Sequence, residues 1–254
     1  MAKRFPAGFR ALLVAQFFGA LNDNIFKLLV IFLVIDQAAA NPGSSRGTVE
    51  LVGALFVLPF ILFSYWAGYL SDRYPKSQVA RAMKGVELVV MVLSSLVLLS
   101  GHHYILIGML FLLGTHSAGF SPSTYGLVPE LVPADNVSRA NGFLELLTFV
   151  PIILGTIIGG VLSELPADRH WIAGLVFVGV AAAGFIASLF ISKTVPQAPT
   201  RAVEKNIFSG ALTGVRELCQ TRELRLVALA SSYFWFVAQL FQLNVPRFGR
   251  FDMG

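Results

Sequence analysis

Residues 68–76 read Gly-Tyr-Leu-Ser-Asp-Arg-Tyr-Pro-Lys, a short charged turn between two long apolar runs, Leu51 to Leu70 and Met83 to Ser100. A run of roughly 20 apolar residues is the length at which a helix crosses a hydrocarbon core of about 30 Å. Pro75 stops a helix because it has no N–H to donate, and Arg73 and Lys76 hold the turn on one side of a bilayer. Gly68 is expected to let neighbouring helices approach closely, and Asp72 to accept hydrogen bonds from the first amides of an adjacent helix.

Working outward, five more runs have the same character: Ala11 to Ile35, Tyr104 to Phe120, Gly142 to Leu162, Trp171 to Ile191 and Val227 to Val245. They are rich in Leu, Val, Ile, Phe and Gly, and lack the strict alternation over about ten residues that a membrane β-barrel strand requires. The sequence therefore predicts an all-α membrane protein with seven spans. Composition agrees. Of 254 residues, 56% are hydrophobic and 13% charged, against about 25% charged in soluble domains, and the mean hydropathy is +0.72.

A net charge of +5 could serve nucleic acid, but the basic residues cluster between apolar spans, so no nucleic-acid partner is expected. The single cysteine, Cys219, excludes an internal disulfide, and His102, His103, His116 and His170 lack ligand-type spacing, so neither a metal site nor a cofactor is expected. The N-terminal apolar run after Lys3 and Arg4 is too long for a signal peptide and lacks a small-residue cleavage site. It reads as the first span.

With the N-terminus inside, the inside segments hold Arg10, Arg73, Lys76, Arg81, Lys84, Arg139, Lys193, Arg201, Lys205, Arg216, Arg222 and Arg225 as well as Lys3 and Arg4. The outside segments hold Arg46, Arg169, Arg247 and Arg250. That bias places the N-terminus of a multi-pass membrane protein in the cytoplasm. The connection at Gly101 to His103 is tight, whereas Lys193 to Leu226 is long and polar. Within it Ile207, Phe208, Ala211, Leu212, Val215 and Leu218 share one helical face, which suits either a surface-lying helix or a plain linker helix. The expected organisation is a six-helix bundle over residues 1–193, a cytoplasmic linker over 194–226 and the first helix of a second bundle over 227–254. On that count the chain reads as truncated, its C-terminal bundle missing.

The first span carries Asn22, Asp23, Asn24 and Lys27 near its middle, where one ionised side chain costs roughly 2.5–3.5 kcal/mol. Asp23 and Lys27 are four apart and share a face. They are either an internal ion pair that fixes packing or part of a polar face along a substrate path.

The turn Gly68-x-Leu70-Ser71-Asp72-Arg73, followed by Lys76, resembles the loop signature of the major facilitator superfamily. Pro75 stands where that family usually has glycine, and the fourth span lacks the arginine of many proton-coupled members. A narrower resemblance covers nearly the whole chain: AQFFGALNDNIFK at 15–27, SPSTYGLVPELV at 121–132 and ANGFLE at 140–145 look like the bacterial lysophospholipid transporter family, some members of which are fused to acyltransferase and acyl-carrier-protein synthetase domains. The resemblance implies a twelve-span transporter that moves lysophospholipid toward the inner leaflet for reacylation, with membrane lipids and a fused or separate acyltransferase as partners. It implies that Asp23 meets a cationic head group and that Asp72 and Arg73 belong to a cytoplasmic gate. An exporter of a drug or small metabolite is the alternative, because the loop signature is shared across substrates.

Ser121 to Asn141 is expected to be a loop, with Glu130 and Arg139 either forming a gating pair with Arg73 and Asp72 or simply solvated. Gly155-x-x-x-Gly159 is expected to serve helix packing, Glu145 to lie in the first turn of its span, and His116 to be buried, with no partner visible in the sequence. An acyltransferase would need a His-x-x-x-x-Asp pair for general-base catalysis. No histidine has an aspartate five residues on, so no enzymatic activity is expected.

Overall fold

The computed structural model describes residues 4–40, 48–200, 215–216 and 219–251. Lys3, Arg46, Arg201 and Lys205, and Ile207, Phe208, Ala211, Leu212 and Leu218 of the expected amphipathic face, lie outside the described residues. Seven α-helices are present among those described: α1 (Ala7–Ala40), α2 (Thr48–Arg73), α3 (Lys76–Ser100), α4 (His103–Leu131), α5 (Val137–Ser163), α6 (His170–Leu189) and α7 (Arg222–Phe251). The shortest has 20 residues, about 30 Å at 1.5 Å per residue. Each is long and apolar enough to cross a membrane. Helices suit such a solvent because each satisfies its own backbone hydrogen bonds where lipid offers none.

The helices start and stop where local chemistry requires it. Gly101 takes the left-handed conformation (φ 75°) that closes α3, and its N–H reaches the Leu98 carbonyl. Pro75, Pro133 and Pro166 sit immediately before new helical segments, where a missing N–H costs nothing.

Several helices are longer than their apolar runs. Ser121 to Leu131, expected as part of a loop, continues α4 through Pro122 and Pro129; neighbouring helices can tolerate the bonds these prolines remove inside a membrane bundle. Likewise α3 begins at Lys76, so Lys84 is a fully buried residue in its third turn rather than a loop cation. The earlier start of α5 puts Glu145 in its third turn.

Helix α1 runs through the middle of the bundle, with 72% of its most apolar stretch buried against 0% for α7. It packs on α4, α5 and α6, while α4 also packs on α2 and α3, and α3 on α6. Lipid removes the hydrophobic drive between helices, so close packing and polar ties hold them together. Gly155 and Gly159 let α5 touch the α1 backbone: an added Cβ would stand 2.8 Å from the Leu21 carbonyl oxygen and 2.7 Å from that of Ile25, respectively. Gln16 donates to Thr148 at 2.9 Å and Ser95 to the Gly174 carbonyl at 3.1 Å, tying α1 to α5 and α3 to α6. Helix α7 is exposed along most of its described face and meets the bundle where Trp235 stacks on Phe149 at 5.6 Å.

Among the described residues, nothing lies within 4 Å of a Cβ added at Gly68. Gly159→Ile should therefore lower stability by about 1–3 kcal/mol through overpacking, read as a reduced Tm in detergent, whereas Gly68→Ala should leave Tm undiminished.

Candidate functional site

A cavity of about 540 Å³ opens between α1, α2, α4 and α5, and Trp235 and Gln239 of α7 complete its wall. One part is aromatic and aliphatic: Phe56, Val57 and Phe60 from α2, Phe120 from α4 and Ile152 from α5. The opposite character comes chiefly from α1 and α4, which contribute Gln16, Asp23, Asn24 and Lys27, and His116, Ser117, Ser121 and Thr124. An apolar pocket with a few convergent polar groups is the usual form of a small-molecule site.

The four polar residues of α1 divide according to the 100° turn per residue. Asp23, Asn24 and Lys27 line the cavity. Asp23 Oδ2 accepts from Ser117 Oγ at 2.6 Å, and its other oxygen has no hydrogen-bond partner. Asn24 donates to the Ala20 carbonyl at 2.7 Å, and the Lys27 ammonium lies 5.0 Å from the centre of the Phe56 ring. Asn22 is turned toward α3 instead, fully buried, where its Nδ2 donates to Glu87 Oε1 at 3.2 Å.

Glu87 is the centre of a cluster that sequence reasoning missed. Its Oε2 takes Lys84 Nζ at 2.7 Å and lies 3.5 Å from His116 Nε2, a ring nitrogen of another helix that makes no hydrogen bond among the described residues. Lys84 and Glu87 are both wholly buried, and the ammonium also lies 4.6 Å from the Phe120 ring centre. The backbone of α1 makes room for it: Lys84 Nζ occupies the space a side chain at Gly19 would need. The available signal was a lysine and a glutamate three apart at the start of an apolar run, one helical turn of a shared face.

At the end of the bundle rich in Arg and Lys, Glu130 accepts from Lys76 Nζ at 2.6 Å and from Gln197 Nε2 at 2.8 Å. Arg73 bonds the Tyr69 hydroxyl and lies near the rings of Tyr69 and Tyr74. Arg139 sits over Phe5 at 4.9 Å and Phe143 at 5.6 Å. Glu130 pairs with Lys76, since the extension of α4 carries Glu130 to the first turn of α3. The Asp72 carbonyl accepts from Ala198 N at 3.0 Å, and Ser77 and Thr194 exchange bonds of 3.2 Å. The segment after α6 is therefore stitched across the α2–α3 turn.

Residues 12–254 match the Major Facilitator Superfamily family model. The chain belongs to the major facilitator superfamily. It is accordingly a multi-pass membrane protein. Curated relatives called lysophospholipid transporter LplT, from Salmonella typhimurium, Salmonella newport and Salmonella enteritidis, are each 32% identical to it over 239 residues. The alignment takes in 90% of this chain and 54% of each relative, so the chain spans about half the length of the curated relatives it matches.

Within this superfamily bundle the buried cluster joins α1 to α3 by a charge-assisted bond and brings His116 of α4 against the same carboxylate. Removing one member of a buried pair leaves an uncompensated charge, which costs about 3–5 kcal/mol, whereas replacing both can be neutral. Lys84→Met should therefore lower unfolding stability in detergent by that amount, and the double variant Lys84→Met/Glu87→Leu should recover most of it. Equal losses in the two variants would show that the charges do not act as a pair.

Proposed function

We propose that this chain carries the substrate cavity of a secondary transporter that moves lysophospholipid across or between the leaflets of the bacterial inner membrane, where an acyltransferase restores the second chain. The observation that carries the reading is the cavity itself: charged groups on α1 face aromatic and aliphatic walls from α2, α4 and α5, the distribution an amphiphile with a polar head and an apolar body requires. The lysophospholipid transporters among its relatives point to the same chemistry.

In this reading residues 1–193 form one six-helix bundle, 194–226 a cytoplasmic linker and 227–254 the first helix of a second bundle. The positive-inside rule puts the N-terminus in the cytoplasm together with Arg73, Lys76, Arg81 and Lys193. Asp23 meets the cationic part of the head group. Lys76, Glu130 and Gln197 act as a cytoplasmic gate beside Asp72 and Arg73, since a rocking transporter needs contacts present in only one of its states.

The test is uptake of labelled lysophosphatidylethanolamine by proteoliposomes holding the whole protein, beside a sugar and a cationic dye. Lysolipid alone should move, and Asp23→Asn should cut its flux at least about tenfold with insertion unchanged. Flux of the dye but not the lipid would favour a drug exporter, and unchanged lipid flux in the variant would return Asp23 to a packing role. For the gate, Glu130→Gln should raise thiol labelling of a cysteine placed at Ser121 from the cytoplasmic side. Identical labelling with and without the substitution would remove Glu130 from that role.

A further inference from the structure

His116 faces a polar atom at each of its two ring nitrogens. Nδ1 lies 3.4 Å from Ser117 Oγ, and Nε2 lies 3.5 Å from Glu87 Oε2 and makes no hydrogen bond among the described residues. The residue is 3% exposed, and its ring stacks on Phe120. It still lines the cavity, together with Ser117 and Asp23.

The hydrogens shared among these groups do not suffice for both contacts. A serine hydroxyl has one hydrogen, and that of Ser117 goes to Asp23 Oδ2 at 2.6 Å. Toward His116, Ser117 Oγ therefore offers only lone pairs. An ionised carboxylate is likewise acceptor-only, and Glu87 Oε2 already receives Lys84 Nζ at 2.7 Å. A neutral imidazole carries one N–H and one lone pair. With its hydrogen on Nδ1 the ring satisfies Ser117 and turns a lone pair to the carboxylate; with its hydrogen on Nε2 it satisfies Glu87 and turns a lone pair to the serine. The imidazolium, with a hydrogen on each nitrogen, suits both neighbours. It completes a chain from Glu87 through His116 and Ser117 to Asp23.

The surrounding charges determine what such a proton is linked to. On α3, Lys84 and Glu87 pair with each other. Helix α1 brings Asp23, with Lys27 one turn beyond it; α2 brings Phe56, Val57 and Phe60; α5 brings Thr148 and Ile152. On α4 itself the next titratable side chain of the wall is Tyr125, which donates to Glu145 of α5 at 2.9 Å. With Glu87 answered by Lys84, the negative charge left for an imidazolium is that of Asp23, reached through Ser117. A cation arriving in the cavity competes for the same carboxylate. Two like charges beside one carboxylate disfavour each other, and the linkage is reciprocal.

We propose that His116 is a proton-binding site that releases its proton into the cavity when a cationic group of the substrate reaches Asp23. The imidazolium loses one proton, the arriving ammonium replaces its charge, and the net charge of the site is unchanged. The inference rests on the reading of Asp23 given above and adds to it an exchanged ion.

Equilibrium binding to the full chain in detergent, repeated across pH and with an indicator dye to count released protons, tests the exchange. The probes are a labelled alkylamine, lysophosphatidylethanolamine and uncharged monoacylglycerol. The wild type should bind the two cationic probes more weakly as pH falls, by up to about tenfold per pH unit, and release up to about one proton for each molecule bound. Monoacylglycerol should show neither effect. His116→Gln, whose side chain does not titrate, should lose both the pH dependence and the release. Ser117→Ala, which keeps the ring but breaks its link to Asp23, should lose most of the release, and it decides the matter if His116→Gln does not fold. Release that persists undiminished in these variants, or pH-independent binding of the alkylamine by the wild type, would overturn the proposal; lysophosphatidylethanolamine binding by the wild type would then leave the transport reading standing. Alkylamine binding with release that depends on His116, but no binding of lysophosphatidylethanolamine, would support the proton site and remove the lysolipid reading.

Discussion

A carboxylate taken out of water must be compensated by groups fixed in the protein, and at the centre of this bundle that carboxylate is Glu87. Lys84 supplies a full charge one turn away, Asn22 a hydrogen bond from α1, and His116 a ring nitrogen from α4. Each partner is on a helix that the bundle needs in contact, so satisfying one buried charge also fixes the positions of α1, α3 and α4. Gly19 then becomes intelligible as the place where α1 lacks a side chain because the Lys84 ammonium fills that volume. The interior is thus organised by electrostatic need as well as by packing, which is reasonable where lipid provides little hydrophobic drive between helices.

Fixing α1 against α4 has a second consequence. Asn22 is directed to the cluster, and the helical turn between consecutive residues then directs Asp23 to the cavity, where Ser117 of α4 meets it. The same α4 residues that close the cluster, His116 and Phe120, form part of the cavity wall. Cluster and cavity are neighbouring compartments of one polar interior, the first with its charges paired internally and the second with an aspartate and a lysine on a wall that also offers apolar surface.

The positively charged end of the bundle is built differently. There the polar groups lie near the helix ends, with Lys76 and Ser77 buried and Glu130 largely covered: Lys76 bonds Glu130, Gln197 bonds the same carboxylate, and Ser77 bonds Thr194. A pair held this far from water is costly to break by removing one partner. These bonds join the α2–α3 turn to the end of α4 and to the segment after α6, and that gives the three elements a shared set of contacts.

The apolar runs alone made seven membrane helices legible, because span length and backbone satisfaction in lipid are local requirements that each segment meets by itself. Asp23 and Lys27 stood out for the same reason, as charges in the middle of a run. The turn at Gly68 to Lys76 and the strings around Asp23 and Ser121 carried the family resemblance. The limits of α4 were not legible, since Pro122 and Pro129 read as breaks until neighbouring helices are present to tolerate them. Nor was the approach of His116 to Glu87, the burial of Lys84, the pairing of Glu130 with Lys76, or the open space beside Gly68. Those depend on which residues of distant segments come within a few ångströms, and periodicity along one helix does not encode which face another helix will meet. Tertiary structure decided that the charges of α3 lie inside the bundle, because only the packed α1 and α4 provide the groups that make a carboxylate tolerable there.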